Sequence, residues 1–171
     1  MKIIFLLFIF FSFVKADVPR LGMYIYSHNN TYIKFRMIKT DEKFFCKPYG
    51  IFTIDDLIDS KDLTKECRAS VDDFYKKKPK LKFFSILNLH RKQNYHIVKK
   101  DKLCIFYSNS TKSYSEEMLE NGIAVITPFF QDKEWKYRFF RAEQGARINK
   151  QGLWSNRHKL LKACMTTLHK Q

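Results

Sequence analysis

Ser113-Tyr114-Ser115-Glu116-Glu117-Met118-Leu119-Glu120-Asn121-Gly122-Ile123-Ala124, together with the run from there to Ser155, spells out two short helices in a specific arrangement. Ser113 with Glu116 has the spacing of a capping box, and Ser115 is an equally good N-cap. Gly122 suits the left-handed position just past a helix end. Beyond the loop holding Phe129 and Phe130, a second helix is expected over roughly 134–151, running into Gly152-Leu153-Trp154-Ser155. Within it Trp135, Phe139, Ala142 and Ala146 fall at i, i+4, i+7 and i+11, one continuous apolar stripe that reads as core. Trp154 is expected to fold back onto the rest of the chain.

Upstream, Met23 to Ser27 and Tyr32 to Ile38 alternate and flank His28-Asn29-Asn30, which predicts a β-hairpin. Asp41 to Gly50 reads as a loop, and Thr53 to Lys65 as a short helix inside an insertion. Glu66 to Lys78 predicts a helix with Cys67, Val71, Phe74 and Tyr75 on one face, ended by Pro79. Leu81 to Leu89, His96 to Val98 and Leu103 to Tyr107 carry strand signals. The predicted order is β-β-α-β-β-α-α, an α+β, mainly β chain. It suits a small five-stranded Greek-key barrel of the OB type with about three helices.

The chain has 171 residues and a formal net charge of +15. Lys2, the apolar run Ile3 to Val14 and the small-residue step at Ala16 have the anatomy of a signal peptide over residues 1–16. A run of about 12 apolar residues is short for a bilayer core of about 30 Å. The expected organisation is a leader over 1–16, one domain over 17–155 and a basic amphipathic tail over 156–171. That tail, carrying Leu160, Leu161, Cys164, Met165 and Leu168, is expected to dock on its own barrel. Export to the periplasm or outside the cell follows from the leader. Without Lys2 and Lys15 the charge falls from +15 to +13. Such a field favours nucleic acid, anionic headgroups or acidic proteins, although lysines spread along the chain also simply solvate a surface.

Cys46, Cys67, Cys104 and Cys164 form an even set in a chain read as exported, which favours disulfides, with three connectivities open. Pairing Cys46 with Cys67 would close a loop of about 20 residues and leave Cys104 to Cys164. No spacing among the cysteines and histidines is a zinc pattern. His28, His90, His96, His158 and His169 have no ligand spacing with one another. No nucleophile elbow or glycine-rich phosphate loop occurs. Tyr24, Tyr26, Tyr32 and Phe35, interleaved with Lys34 and Arg36, form a possible base-stacking and basic surface. A packed hairpin gives the same pattern.

In its C-terminal part the chain resembles the staphylococcal nuclease (thermonuclease) family, where N-E-x-L-V-x-x-G-x-A precedes A-E-x-x-A-(basic)-x-x-x-x-G-(I/L)-W-S. The residues that carry the resemblance are Glu116 to Ala124, Arg141-Ala142-Glu143-Gln144-Gly145-Ala146-Arg147 and Gly152-Leu153-Trp154-Ser155. The resemblance implies the barrel fold and calcium-dependent phosphodiester hydrolysis. In that chemistry the ion neutralises phosphate, arginines hold it and a glutamate serves as general base.

The catalytic motifs are degenerate. Arg36 and Asp41 keep the first part of R-x-x-x-x-D-(T/A)-P-E, but the run continues Glu42-Lys43-Phe44, so Phe44 takes the glutamate position and Glu42 lies two residues early. The carboxylate pair of D-G-D-T is missing, its expected place falling near Gly22. Lys100-Asp101-Lys102 stands where Y-G-R is expected. If the chain is active, the candidates are Arg36, Asp41 and Glu42, with Asp41 on calcium; otherwise no cofactor is expected, and Arg36 and Asp41 are a surface pair. The leading expectation is an exported, catalytically inactive nuclease-like domain with envelope proteins as partners. It would serve as an interaction or scaffold module, such as a subunit of a secretion or motility machine. The rivals are a calcium-dependent nuclease of DNA or RNA and a binder of single-stranded nucleic acid.

Overall fold

Alternation writes the first strands. In β2 (Ile33–Met37), Ile33, Phe35 and Met37 point inward while Lys34 and Arg36 point out, and β1 (Arg20–Ser27) buries Tyr24 beside them. The structure, a computed structural model, describes residues 18–107, 111–128, 130–156 and 159–164. The expected leader, His158, His169, Phe129, Met165 and Leu168 lie outside those residues.

β1 and β2 form the predicted hairpin, with an irregularity between Tyr24 and Tyr26. Next come β3 (Lys43–Pro48), β4 (Ile51–Thr53), α1 (Ile54–Ile58), α2 (Lys65–Lys77), α3 (Pro79–Lys82) and α4 (Phe84–Asn88). β5 (Asn94–Lys100) and β6 (Leu103–Tyr107) form a second hairpin. α5 (Tyr114–Glu120), β7 (Ala124–Ile126), α6 (Lys133–Ile148) and a 3-10 turn over Gly152–Asn156 complete the order. β1-β2-β3-β6-β5 close into a barrel, with β3 and β6 parallel and the other pairs antiparallel. This is the expected five-stranded OB-type barrel. β4 and β7 add a small antiparallel pair beside it.

The strand assignment is corrected in two places. Asp41 to Gly50 holds β3, which pairs with β2 through Ile33↔Cys46 to Arg36↔Lys43. Leu81 to Leu89 is helical, as α3 and α4. Asn30 explains why: its side-chain amide donates to the carbonyls of Leu81 and Lys82 (3.0 and 3.3 Å), and its side-chain oxygen accepts from the Ser85 N–H (3.0 Å). A residue 51 positions before Leu81 thus satisfies the ends of two short helices. An apolar run of this length does not by itself distinguish strand from helix. The helix count is also higher than expected: the described residues hold six α-helices.

α2 starts at the Thr64 cap, whose hydroxyl accepts from the Cys67 N–H (3.1 Å), and buries Cys67, Val71, Phe74 and Tyr75 as expected. α5 starts at Ser113. Its hydroxyl accepts from the Glu116 N–H, and the Glu116 carboxylate accepts from the Ser113 N–H (2.8 Å), a complete capping box. Gly122 ends α5 at φ +62°, with the Ile123 N–H donating to Met118 O and the Gly122 N–H to Leu119 O. These two bonds define a Schellman end. The buried stripe of α6 is Trp135, Phe139, Ala142 and Ala146, as read from the spacing. The helix stops at Ile148, short of the expected end at Gln151, because Lys150 adopts φ +52° and the Gln151 N–H donates to Ala146 O.

Of the three connectivities open to the four cysteines, the structure takes one that does not join Cys46 to Cys67. Cys46 on β3 bonds Cys104 on β6, two neighbouring strands of the barrel. Cys67 on α2 bonds Cys164, so the tail is tied to α2. Leu160 is buried in the same cluster of side chains. The pairing of Cys46 with Cys67 assumed that the segment between them is an isolated loop; it instead contains β4, α1 and the start of α2.

Candidate functional site

The turn after β2 sets the geometry of the candidate site. The Asp41 N–H donates to Met37 O and the Met37 N–H to Glu42 O, each at 2.9 Å, and Asp41 sits at φ +55°. This closure returns the Asp41 carboxylate to Arg36, with Nη1 to Oδ1 at 3.3 Å. The pair is open to solvent, Asp41 being three-quarters exposed. Glu42 points to β5, where it accepts from Lys99 Nζ at 2.7 Å. The structure therefore brings Arg36 and Asp41 together and commits Glu42 to a different cation.

The other positions named by the resemblance hold structure of another kind. Phe44 is half-buried, stacked on Phe35 at 6.2 Å, and carries Lys99 over its ring at 4.7 Å. Gly22 faces the barrel interior, where an added Cβ would lie 2.5 Å from Ile97 Cδ1 and 3.4 Å from Met37 Sδ. Asp101, at φ +56°, makes the tight β5–β6 turn with Lys102, whose carbonyl accepts from the Lys47 N–H. Among the described residues no three His, Cys, Asp or Glu side chains gather closely enough to hold a metal ion.

A hard divalent cation such as calcium takes about six to eight oxygen ligands, most of them anionic or carbonyl. Here two carboxylates are near, both in contact with cations, and the third expected position is a glycine walled in by an isoleucine. This donor set does not fit calcium.

The base-stacking surface is only partly assembled. Tyr24 is buried in the core, edge-on to Phe35 and Tyr95, with its hydroxyl bonded to Ser27 Oγ, so it presents no face to a base. Tyr26 is exposed and lies edge-on to Phe45 at 6.0 Å, with Lys34 Nζ over both rings at 5.4 and 5.1 Å. Nothing in the sequence marks Phe45 for this surface, because its own stretch reads as loop. Tyr32 is half-buried beneath Lys47 Nζ at 4.7 Å. Burial alone would lower the Lys47 pKa, but Asp56, bonded to it at 3.1 Å, and Tyr32 together outweigh burial and raise it. Arg36 points outward but is paired with Asp41. His28, His90 and His96 are exposed and separate.

Beside the Arg36 turn lies an apolar groove of about 610 Å³ lined by Val18, Leu21, Met37 and Ile38, with Lys39 and His96 at its edge. The C-terminal motifs, by contrast, are all structural. Glu116 receives Arg138 through two bonds (3.0 and 2.7 Å), clamping α5 to α6. Glu143, almost fully buried, accepts from the Ile126 N–H of β7 (2.9 Å) and from Arg147 Nε (2.9 Å). Arg147 also covers the Trp154 ring at 4.2 Å.

Comparison with known proteins matches residues 75–156 to the family described as staphylococcal nuclease homologue. The matched region begins in α2 and ends at the Trp154 turn, so Arg36, Asp41 and Glu42 lie outside it. No curated protein matches the chain. With the matched region supplying β5 and β6 of the closed five-stranded barrel and the helices α5 and α6, residues 75–156 are staphylococcal nuclease-like in sequence and in fold.

Proposed function

We propose that this chain is an exported nuclease-like domain that does not cut nucleic acid and serves as an interaction module of the cell envelope. The observation that carries the reading is the state of the Arg36 turn: Asp41 is salt-bridged to Arg36, Glu42 to Lys99, and the position near which a third carboxylate is expected is Gly22, packed against Ile97. Fold alone does not carry function, and the interactions retained from the family motifs are the ones that pack helices. Two disulfides between distant segments favour an oxidising compartment, in keeping with the apolar leader. The outer face of α6 exposes Tyr137, Phe140 and Ile148 at i, i+3 and i+11, a surface suited to an envelope partner.

The test is cleavage of DNA and RNA by the oxidised protein with calcium and with chelator. The reading expects no difference between the two. Calcium-dependent turnover that disappears in Asp41→Ala would establish a nuclease instead. Export is tested separately by cell fractionation with thiol alkylation before reduction: an envelope protein with both disulfides intact is expected, and a reduced cytoplasmic pool would contradict it.

A further inference from the structure

The charge of this chain is not evenly spread. Between Lys76 and Lys92 the sequence carries Lys76, Lys77, Lys78, Lys80, Lys82, Arg91 and Lys92 and not one Asp or Glu. Among the described residues only Lys77 of these seven is in an ion pair, with Asp73 at 2.7 Å. In the middle of this run three large apolar side chains face solvent: Phe83, Ile86 and Leu87, each about half exposed. They fall at i, i+3 and i+4, and the Leu87 N–H donates to Phe83 O (3.0 Å), so one helical turn presents all three on one face.

The opposite face fixes that turn to the body of the domain. Phe84 and Ser85 are buried; the Ser85 hydroxyl is bonded to Asn30 and Tyr114, and Phe84 packs near the Tyr114 ring. Exposure of Phe83, Ile86 and Leu87 is thus not the fraying of a loose helix. Lys82 reaches over the Phe83 ring at 5.9 Å, placing an amine beside the apolar tip.

We propose that Phe83, Ile86 and Leu87, flanked in sequence by Lys76, Lys78, Lys80, Lys82, Arg91 and Lys92, dock this domain on an anionic phospholipid surface. Apolar side chains entering the headgroup boundary, with basic residues around them, are the two signals that together give peripheral membrane binding. The side-chain chemistry favours lipid over the other polyanions. Ile86 and Leu87 have no ring on which a base could stack, as a single-strand site requires. Five of the six flanking cations are lysines, which fixed protein interfaces deplete in favour of arginine. Long mobile amines suit a fluid array of phosphates.

The test is vesicle flotation with the disulfide-bonded full chain. It compares phosphatidylcholine vesicles with vesicles holding about one-third phosphatidylglycerol, each at low and high salt. The wild type is set against K76E/K80E/K82E and F83S/I86S/L87S in the same chain, so that any contribution of the apolar leader is common to all. The expected result is salt-sensitive enrichment on anionic vesicles that either triple variant lowers about tenfold or more. A Phe83→Trp variant gives a reading that does not depend on the triple variants folding: its added fluorescence is expected to be quenched by brominated acyl chains in anionic vesicles. Equal binding to neutral and anionic vesicles, triple variants that bind like the wild type, or fluorescence of the Phe83→Trp variant that stays unquenched would each overturn the proposal. So would tight binding to a single-stranded oligonucleotide, lost in the triple variants, without binding to vesicles.

Discussion

Gly22 on β1 lies against Ile97 on β5 so closely that a Cβ at residue 22 would fall 2.5 Å from the isoleucine methyl. The place where the resemblance expects a calcium ligand is therefore part of the barrel packing. Ile97 and Met37, its neighbours, are both buried. Gly22→Asp would force Ile97 aside and put a carboxyl group among apolar side chains, a cost above the about 1–3 kcal/mol of a buried neutral polar group without a partner. Thermal unfolding with and without calcium checks this. The variant is expected to melt lower than the wild type, with no recovery when calcium is added; a calcium-dependent rise in Tm would contradict the account.

The tail is held by a covalent bond across 97 residues. Cys67→Ala with Cys164→Ala is expected to cost about 2–5 kcal/mol, mainly by freeing the unfolded chain. Denaturant titration measures the loss, and peptide mapping of the unreduced protein is expected to recover Cys46 with Cys104 and Cys67 with Cys164. Peptides joining Cys46 to Cys67 would refute the pairing.

Two positions of α6 are swapped relative to local preference. Gly145 is in the helix interior with nothing within 4 Å of an added Cβ, while Lys150 just past the end holds φ +52°. Gly145→Ala is expected to stabilise by about 0.5–1 kcal/mol, and Lys150→Gly by about 1 kcal/mol. The sites are separate, so the double variant should show the sum in a denaturant titration. A destabilising Gly145→Ala would mean that this face is closely covered.

Asp55 joins α1 to the barrel and to α2, accepting from the Asn30 N–H (2.8 Å) and the Tyr75 hydroxyl (2.7 Å). Burial raises its pKa, and these two bonds offset that only in part. A carboxyl raised on folding takes up a proton, so its contribution is full below the ordinary value near 3.8 and is lost as pH rises through the folded-state value. Asp55→Asn removes that titration. Its Tm relative to the wild type is expected to increase as pH rises from about 4; a difference that stays constant with pH would contradict the assignment.

What the sequence displayed was local. Ser113 with Glu116, Gly122 and the Trp135-Phe139-Ala142-Ala146 stripe act within one helix or its cap, and each was readable from spacing. β3 was not, because Lys43 to Pro48 contains a proline and two lysines and becomes a strand only through partners on both sides, β2 and β6. α3 and α4 depend on Asn30, and the disulfides depend on tertiary proximity that spacing does not encode. At the candidate site, the Arg36–Asp41 pair was legible because one turn makes it. The burial of Tyr24 and the exposure of Phe45 were not, since both follow from barrel closure.

Among the described residues too few oxygen donors surround Arg36 to hold a doubly charged ion, and calorimetric titration of calcium into the oxidised protein reads this without any assay of cleavage. No saturable binding is expected, in wild type and Asp41→Ala alike. One calcium bound per chain by the wild type and lost in Asp41→Ala would contradict it.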